Sequence, residues 1–173
     1  MKLSELSKTH RRIRWLSQCM LVFLTMAIFL YLANVVLGRT ELIGAIGATS
    51  LGSTAFLAFV AHNSYMAQSK RILGGYLIAI VVGIVLFHCV QWTFNAHIQI
   101  NHRYLVLFVA AASAAIGMFF MTLLGLEHPP AAGLSLGMVL EHWDMKILGI
   151  IVACLLLLTV IKYLLRNWLV VLV

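Results

Sequence analysis

Both prolines of this 173-residue chain stand side by side, Pro129-Pro130, between two apolar stretches at residues 104–124 and 131–140. Proline carries no backbone donor and drives the residue before it out of the helical region. His128 and Pro129 are therefore expected to be extended, with a helix restarting at or just after Pro130. In a lipid environment such a break leaves backbone groups that hydrocarbon cannot satisfy, so it survives only where protein encloses it or where it borders a polar path.

Hydrocarbon is the right solvent to consider. The chain is 63% hydrophobic and 10% charged, whereas soluble domains are roughly half apolar and about a quarter charged. Apolar runs fall at residues 19–37, 42–61, 72–90, 104–124, 131–140 and 147–165. They are continuous rather than alternating, which indicates helices and excludes barrel strands. At about 20 residues per crossing the chain has room for roughly four to six membrane segments and no soluble domain. The expected fold class is thus all-α, a polytopic membrane helix bundle.

The net charge of +7 does not call for nucleic acid. Five cations, Lys2, Lys8, Arg11, Arg12 and Arg14, precede the first apolar run and orient it by the positive-inside rule. Residues 1–18 read as a basic, interfacial cytoplasmic tail, and residues 19–168 as a single transmembrane domain. The first run is longer than a signal-peptide core and has no clear cleavage site, so it reads as a retained helix. If every segment crosses, both termini and the Lys70-Arg71 link share the cytoplasmic side, with Glu141 and Asp144 outside. Cys19, Cys89 and Cys154 show no metal or redox spacing and read as packed free thiols. His97, His102 and His142 read as surface residues, not metal ligands.

Two segments depart from simple spans. Residues 131–140 would make a helix of only about 15 Å, half the hydrocarbon core, and read as a half-helix. Residues 42–61 concentrate Gly44, Gly47, Gly52, Thr49, Ser50, Ser53 and Thr54, which suggests an interrupted or tightly packed helix. One shift lays Glu41 on Glu127, Ala45 on Ala131, Gly47 on Gly133 and Thr49 on Ser135. Each stretch is then the middle of three segments, a candidate inverted repeat of the kind found in transporters and channels.

The string His128-Pro129-Pro130-Ala131, set between a long and a short apolar helix, resembles the HPP family of small integral membrane proteins. Gly47-Ala48-Thr49, and the stretch from Ser64-Tyr65-Met66-Ala67-Gln68-Ser69-Lys70-Arg71 to Gly74-Gly75, are similar to that family's second conserved region. Tyr65 and Ser69 stand where the family has prolines, and Ala131-Ala132-Gly133 reverses the family's Ala-Gly-Ala order. The resemblance implies a multispanning membrane protein, and the expected location is the inner (cell) membrane of a bacterium. Nitrite transport is the activity associated with some plastid and cyanobacterial members.

The residues themselves also point to anions. A helix starting at Pro130 would present donors at Ala131, Ala132 and Gly133 together with the positive end of the helix dipole, and Ser135 would add a hydroxyl. Gly47, Thr49 and Ser50 could supply matching donors. The same features also suit a buried half-helix that simply packs well. His128 is either a neutral cap or a proton-coupling group, and Glu41 and Glu127 are expected at a vestibule or paired with Lys70, Arg71 or Arg39.

The leading expectation is a transporter or channel for a small monovalent anion, without enzymatic activity or cofactor. Its partners would be membrane lipid, the anion and, as an open question, further copies of itself. A noncatalytic membrane scaffold or sensor, and an intramembrane enzyme acting on lipid through Glu127 and His128, are the alternatives.

Overall fold

The computed structural model describes residues 8–37, 43–96, 102–141 and 143–169. Every regular element among them is helical: α1 (Lys8–Leu37), α2 (Ile43–Phe59), a 3₁₀ turn (Tyr65–Ala67), α3 (Ser69–Asn95), α4 (His102–Leu123), α5 (Pro129–Leu140) and α6 (Met145–Leu165). Four carry windows long and apolar enough to cross a membrane: Ile13–Leu32, Ser69–Asn95, His102–Leu123 and Met145–Leu165. Large apolar side chains such as Phe23, Leu77, Phe108, Phe119 and Leu164 are exposed around the bundle, as lipid contact requires.

Contacts at the two ends fix the direction of each helix. At one end Gln18 Nε2 donates to the Phe59 carbonyl at 2.9 Å, an Arg14 guanidinium nitrogen donates to the Trp168 carbonyl, and Lys162 Nζ donates to the Ala67 carbonyl. At the other, the Phe94 and His102 rings lie 4.3 Å apart and Phe87 packs on Trp143. The six helices thus alternate in direction. Lys70, Arg71, Lys162 and Arg166 gather at the first end, and Glu141 and Asp144 at the second.

Several expectations need correction. α1 begins at Lys8 and runs through residue 18 without a break, so the described part of the tail is the first turns of the same helix. Cys19 and Cys89 are exposed and only Cys154 is packed. α2 is one continuous helix of 17 residues; its glycines do not interrupt it. A break therefore precedes α5 alone among the described residues. The direction of α2 against α5 suits an inverted repeat, but Arg39 and Glu41, in the segment that would carry the matching break, lie outside the described residues, as do His97 and His142.

α5 occupies the middle of the bundle. Ala131, Ala132, Leu134, Ser135, Gly137, Met138 and Val139 are buried, leaving little of this helix to lipid. It fits because its neighbours are small where they meet it. Gly75, Ala79 and Gly83 recur every four residues on α3, and Ser113 and Gly117 on α4 face the same way. A Cβ on Gly75 or Gly83 would come within 3 Å of α5 side-chain atoms, at His128 Cβ and Met138 Cβ respectively. A Cβ on Gly47 would make only ordinary contact, 3.7 Å from Ile151 Cδ1, and one on Gly133 would meet nothing within 4 Å.

Candidate functional site

The break that opens the site is built locally. α4 ends in a two-bond cap, with the Leu126 amide donating to the Met121 carbonyl at 2.8 Å and the Gly125 amide to the Thr122 carbonyl at 3.1 Å. Gly125 takes φ +64°, the left-handed conformation this cap needs. The chain then runs through Leu126, Glu127 and His128, and α5 begins at Pro129, one residue earlier than expected.

That single-residue difference matters for the backbone donors. With His128 as cap and Pro129 and Pro130 as the first two helical residues, two of the four orphan amides of a helix start do not exist. The Ala131 amide donates to the His128 carbonyl at 2.9 Å, and Ala132 and Gly133 follow within α5. Of the donors expected at Ala131, Ala132 and Gly133, that of Ala131 is thus taken up within the protein. Ser135 is buried, and its hydroxyl donates back to the Ala132 carbonyl at 2.9 Å.

Polar groups converge instead around the imidazole of His128, which is wholly buried. Its Nδ1 lies 3.0 Å from the Met66 carbonyl in the 3₁₀ turn, and its Nε2 lies 2.9 Å from Thr54 Oγ1. Thr54 is 2.9 Å from the Tyr76 hydroxyl, which is 2.7 Å from Ser50 Oγ. Ser50 donates onward to the Pro130 carbonyl at 2.6 Å. The chain of contacts joins α2, α3, α5 and the 3₁₀ turn; His128, Thr54, Tyr76 and Ser50 are buried, whereas Met66 is exposed and Pro130 half-buried.

Of the residues expected to line a site, His128, Pro130 and Ser50 come together. Ser50 and Thr54 stand one turn apart on the same face of α2. Thr54, Tyr76 and the Met66 carbonyl were not singled out as site groups; the only local signals were the four-residue spacing from Ser50 and a tyrosine directly after Gly74-Gly75. Thr49 points to the exposed side of α2, and Gly47 lies near the opposite end of the bundle.

Charge is held at the margin. Glu127 pairs with the buried guanidinium of Arg71, which also stacks 3.1 Å above the Tyr65 ring, whereas Lys70 is exposed. The sequence left the partner of Glu127 open, and the fold chooses Arg71. No carboxylate bonds to His128 among the described residues.

The two ends of α5 border open space. Beside its start, an open groove is lined by Gly52, Ser53 and Phe56 of α2 and by Met66, Pro129 and Pro130 across from them. At its far end, a cavity of about 20 Å³, enough for one water, lies among Gly47, Leu134, Gly137, Glu141, Trp143 and Ile151. The Trp143 indole Nε1 is buried without a partner among the described residues, and burial raises the Glu141 carboxyl above its usual range.

A short helix held inside an apolar bundle, with a buried imidazole and hydroxyl cluster at its start, defines a polytopic helical membrane protein with a polar centre. The family described as HPP, transmembrane region, matches residues 7–171, and the chain belongs to it. No curated protein and no solved structure matches the chain. Membership and architecture are compatible with membrane transport.

Proposed function

We propose that this protein is a carrier or channel for a small monovalent anion, with nitrite, the activity associated with some members of the family, as the first substrate to test. The observation that carries the reading is the buried cluster of His128, Thr54, Tyr76 and Ser50 at the break before α5, between a groove at one end of that helix and a cavity at the other. Ionisable groups placed inside a membrane bundle are costly to keep and characteristically mark substrate or proton pathways. The path follows the α2–α5 interface, past His128, Pro129, Pro130 and Ser50 toward Leu134 and Gly47. With Arg71 balanced by Glu127, Lys70 and Lys162 leave the groove end basic, which draws anions toward it.

The protein acts without turnover of lipid and without a cofactor, in the inner membrane of a bacterial cell, with the basic end facing the cytoplasm. An acid–base pair of Glu127 and His128, which lipid chemistry would use, is not supported, because Glu127 is held by Arg71. The test is reconstitution of the purified chain in vesicles with nitrite flux measured against protein-free vesicles. Saturable or conductive flux supports transport. Absence of flux from folded protein would leave the scaffold reading as the better one.

A further inference from the structure

We propose that His128 gives a proton to the anion, so that what crosses the bundle is the neutral conjugate acid and the substrates are anions of weak acids. The proposal rests on the transport reading above. It starts from a count of hydrogens. A carbonyl only accepts, so the contact with Met66 fixes Nδ1 as N–H. Ser50 uses its single hydrogen on the Pro130 carbonyl, also an acceptor only. Between them lie three further contacts, Nε2 to Thr54, Thr54 to Tyr76 and Tyr76 to Ser50, at 2.9, 2.9 and 2.7 Å.

With a neutral ring those three contacts share two hydrogens, one on Thr54 and one on Tyr76. One contact then lacks a hydrogen and sets two lone pairs against each other. A proton on Nε2 completes the series: the ring donates to Thr54, Thr54 to Tyr76, Tyr76 to Ser50 and Ser50 to Pro130. The other acceptor within reach of Thr54, the Ser50 carbonyl at 3.0 Å, belongs to the α2 ladder. The cluster as built is one proton short of full pairing, and the imidazolium supplies it.

The surroundings suit discharge of that proton to a ligand. Facing the ring are Thr54 and Ser50 from α2, Tyr76 from α3 and the Met66 carbonyl from the 3₁₀ turn. The charged groups nearby are committed elsewhere, Lys162 of α6 to the Ala67 carbonyl and Arg71 of α3 to Glu127. Among the described residues, no cation bonds to the His128 ring or to the hydroxyls beyond it. Met66 is a wall of that groove and its carbonyl meets Nδ1, so one residue separates this ring atom from the groove. Farther along, Ala131, Leu134 and Met138 are apolar, a stretch a charge enters only at high cost and a neutral acid crosses readily.

The step balances. An anion in the groove replaces the Met66 carbonyl at Nδ1; the N–H bond breaks, its electron pair stays on the ring, and an O–H bond forms on the anion. Imidazolium and anion become imidazole and neutral acid. The acid releases its proton to water on the far side, and water on the loading side recharges the ring. One proton moves with each anion. Nitrite, formate and other small carboxylates qualify, whereas nitrate and chloride, the bases of strong acids, do not.

The experiment uses the full chain in vesicles of phosphatidylethanolamine and phosphatidylglycerol, with a trapped pH dye and the potential clamped by potassium and valinomycin. Nitrite and formate should enter faster than in protein-free vesicles, acidify the lumen and ignore the potential, with nitrate and chloride about tenfold slower or worse. Nitrate or chloride moving as fast as nitrite, or nitrite flux that follows voltage without acidification, overturns the proposal and leaves anion transport standing. If no anion moves above protein-free vesicles, the transport reading itself falls. His128→Gln should abolish proton-linked flux, and persistence of that flux in folded variant protein also overturns the proposal. Tyr76→Phe removes two of the three contacts and one of the two hydrogens, leaving Thr54 free to donate to a neutral ring, so the acid limb of the pH–flux profile should move to lower pH; an unmoved profile counts against the relay.

Discussion

A Cβ placed on Gly75 would lie 2.7 Å from the Cβ of His128, so α3 reaches the start of α5 only because a methyl group is missing. Gly75→Ala should cost about 1–3 kcal/mol, since the stem of His128 is too close to its own backbone to yield. Gly74→Ala, which meets the mobile end of Leu126, should cost less. Thermal unfolding in detergent compares the two, and equal losses would show that His128 is not rigidly held.

Gly125, at φ +64°, ends α4 independently of the prolines. Gly125→Ala should cost about 1–2 kcal/mol, the penalty of left-handed backbone for a residue with a Cβ. Replacing Pro129 and Pro130 together by alanine should leave the break in place, lower stability by about 1 kcal/mol or so, and preserve anion flux. Loss of flux with normal stability would restore the prolines to a direct role.

Glu127 and Arg71 should be strongly coupled. Glu127→Gln leaves a largely buried guanidinium without its counterion and should cost about 1–3 kcal/mol. Arg71→Gln costs a similar amount and also removes the stacking on Tyr65. In a double-mutant cycle the combined variant should lose clearly less than the sum; additive losses would mean that the pair is not formed in the membrane.

Gly83 and Gly133 should respond in opposite directions. A Cβ on Gly83 would sit 2.9 Å from Met138, whereas one on Gly133 would enter open space within a helix. Gly83→Ala should destabilise by about 1–3 kcal/mol, and Gly133→Ala should stabilise by about 0.5–1 kcal/mol. Parallel unfolding curves decide it, and a destabilised Gly133→Ala would reveal a neighbour at that face.

Sidedness is testable with single cysteines in a background where the three native cysteines are alanine. Asp144→Cys should react with an impermeant reagent in intact cells, and Lys70→Cys only after permeabilisation. The reverse pattern would invert the bundle.

Membrane class, helix count and the break before α5 were all legible in the sequence, because each depends on properties carried by neighbouring residues. Apolar run length sets a span, a proline pair ends one helix and starts the next, and basic residues collect at one end. The helix boundaries at Leu37, Leu140 and Leu165 coincide with the ends of their apolar runs for that reason. What the local pattern missed was the phase of the break: with the helix starting at Pro129 in place of Pro130, the Ala131 amide pairs with the His128 carbonyl and is taken from an anion site.

The rest was decided by partners distant in the chain. The imidazole of His128 meets Thr54 and Met66, which are 74 and 62 residues away, and no spacing rule connects them. Glu127 could have paired with any of several cations until the start of α3 brought Arg71 to it. The glycines that matter for packing, Gly75 and Gly83, differ from Gly133 only in what stands opposite them. The sequence by itself determined which segments leave water and where the chain must bend. The tertiary structure alone decided which buried polar groups satisfy one another, because hydrogen bonding inside an apolar bundle depends on the positions of several helices at once.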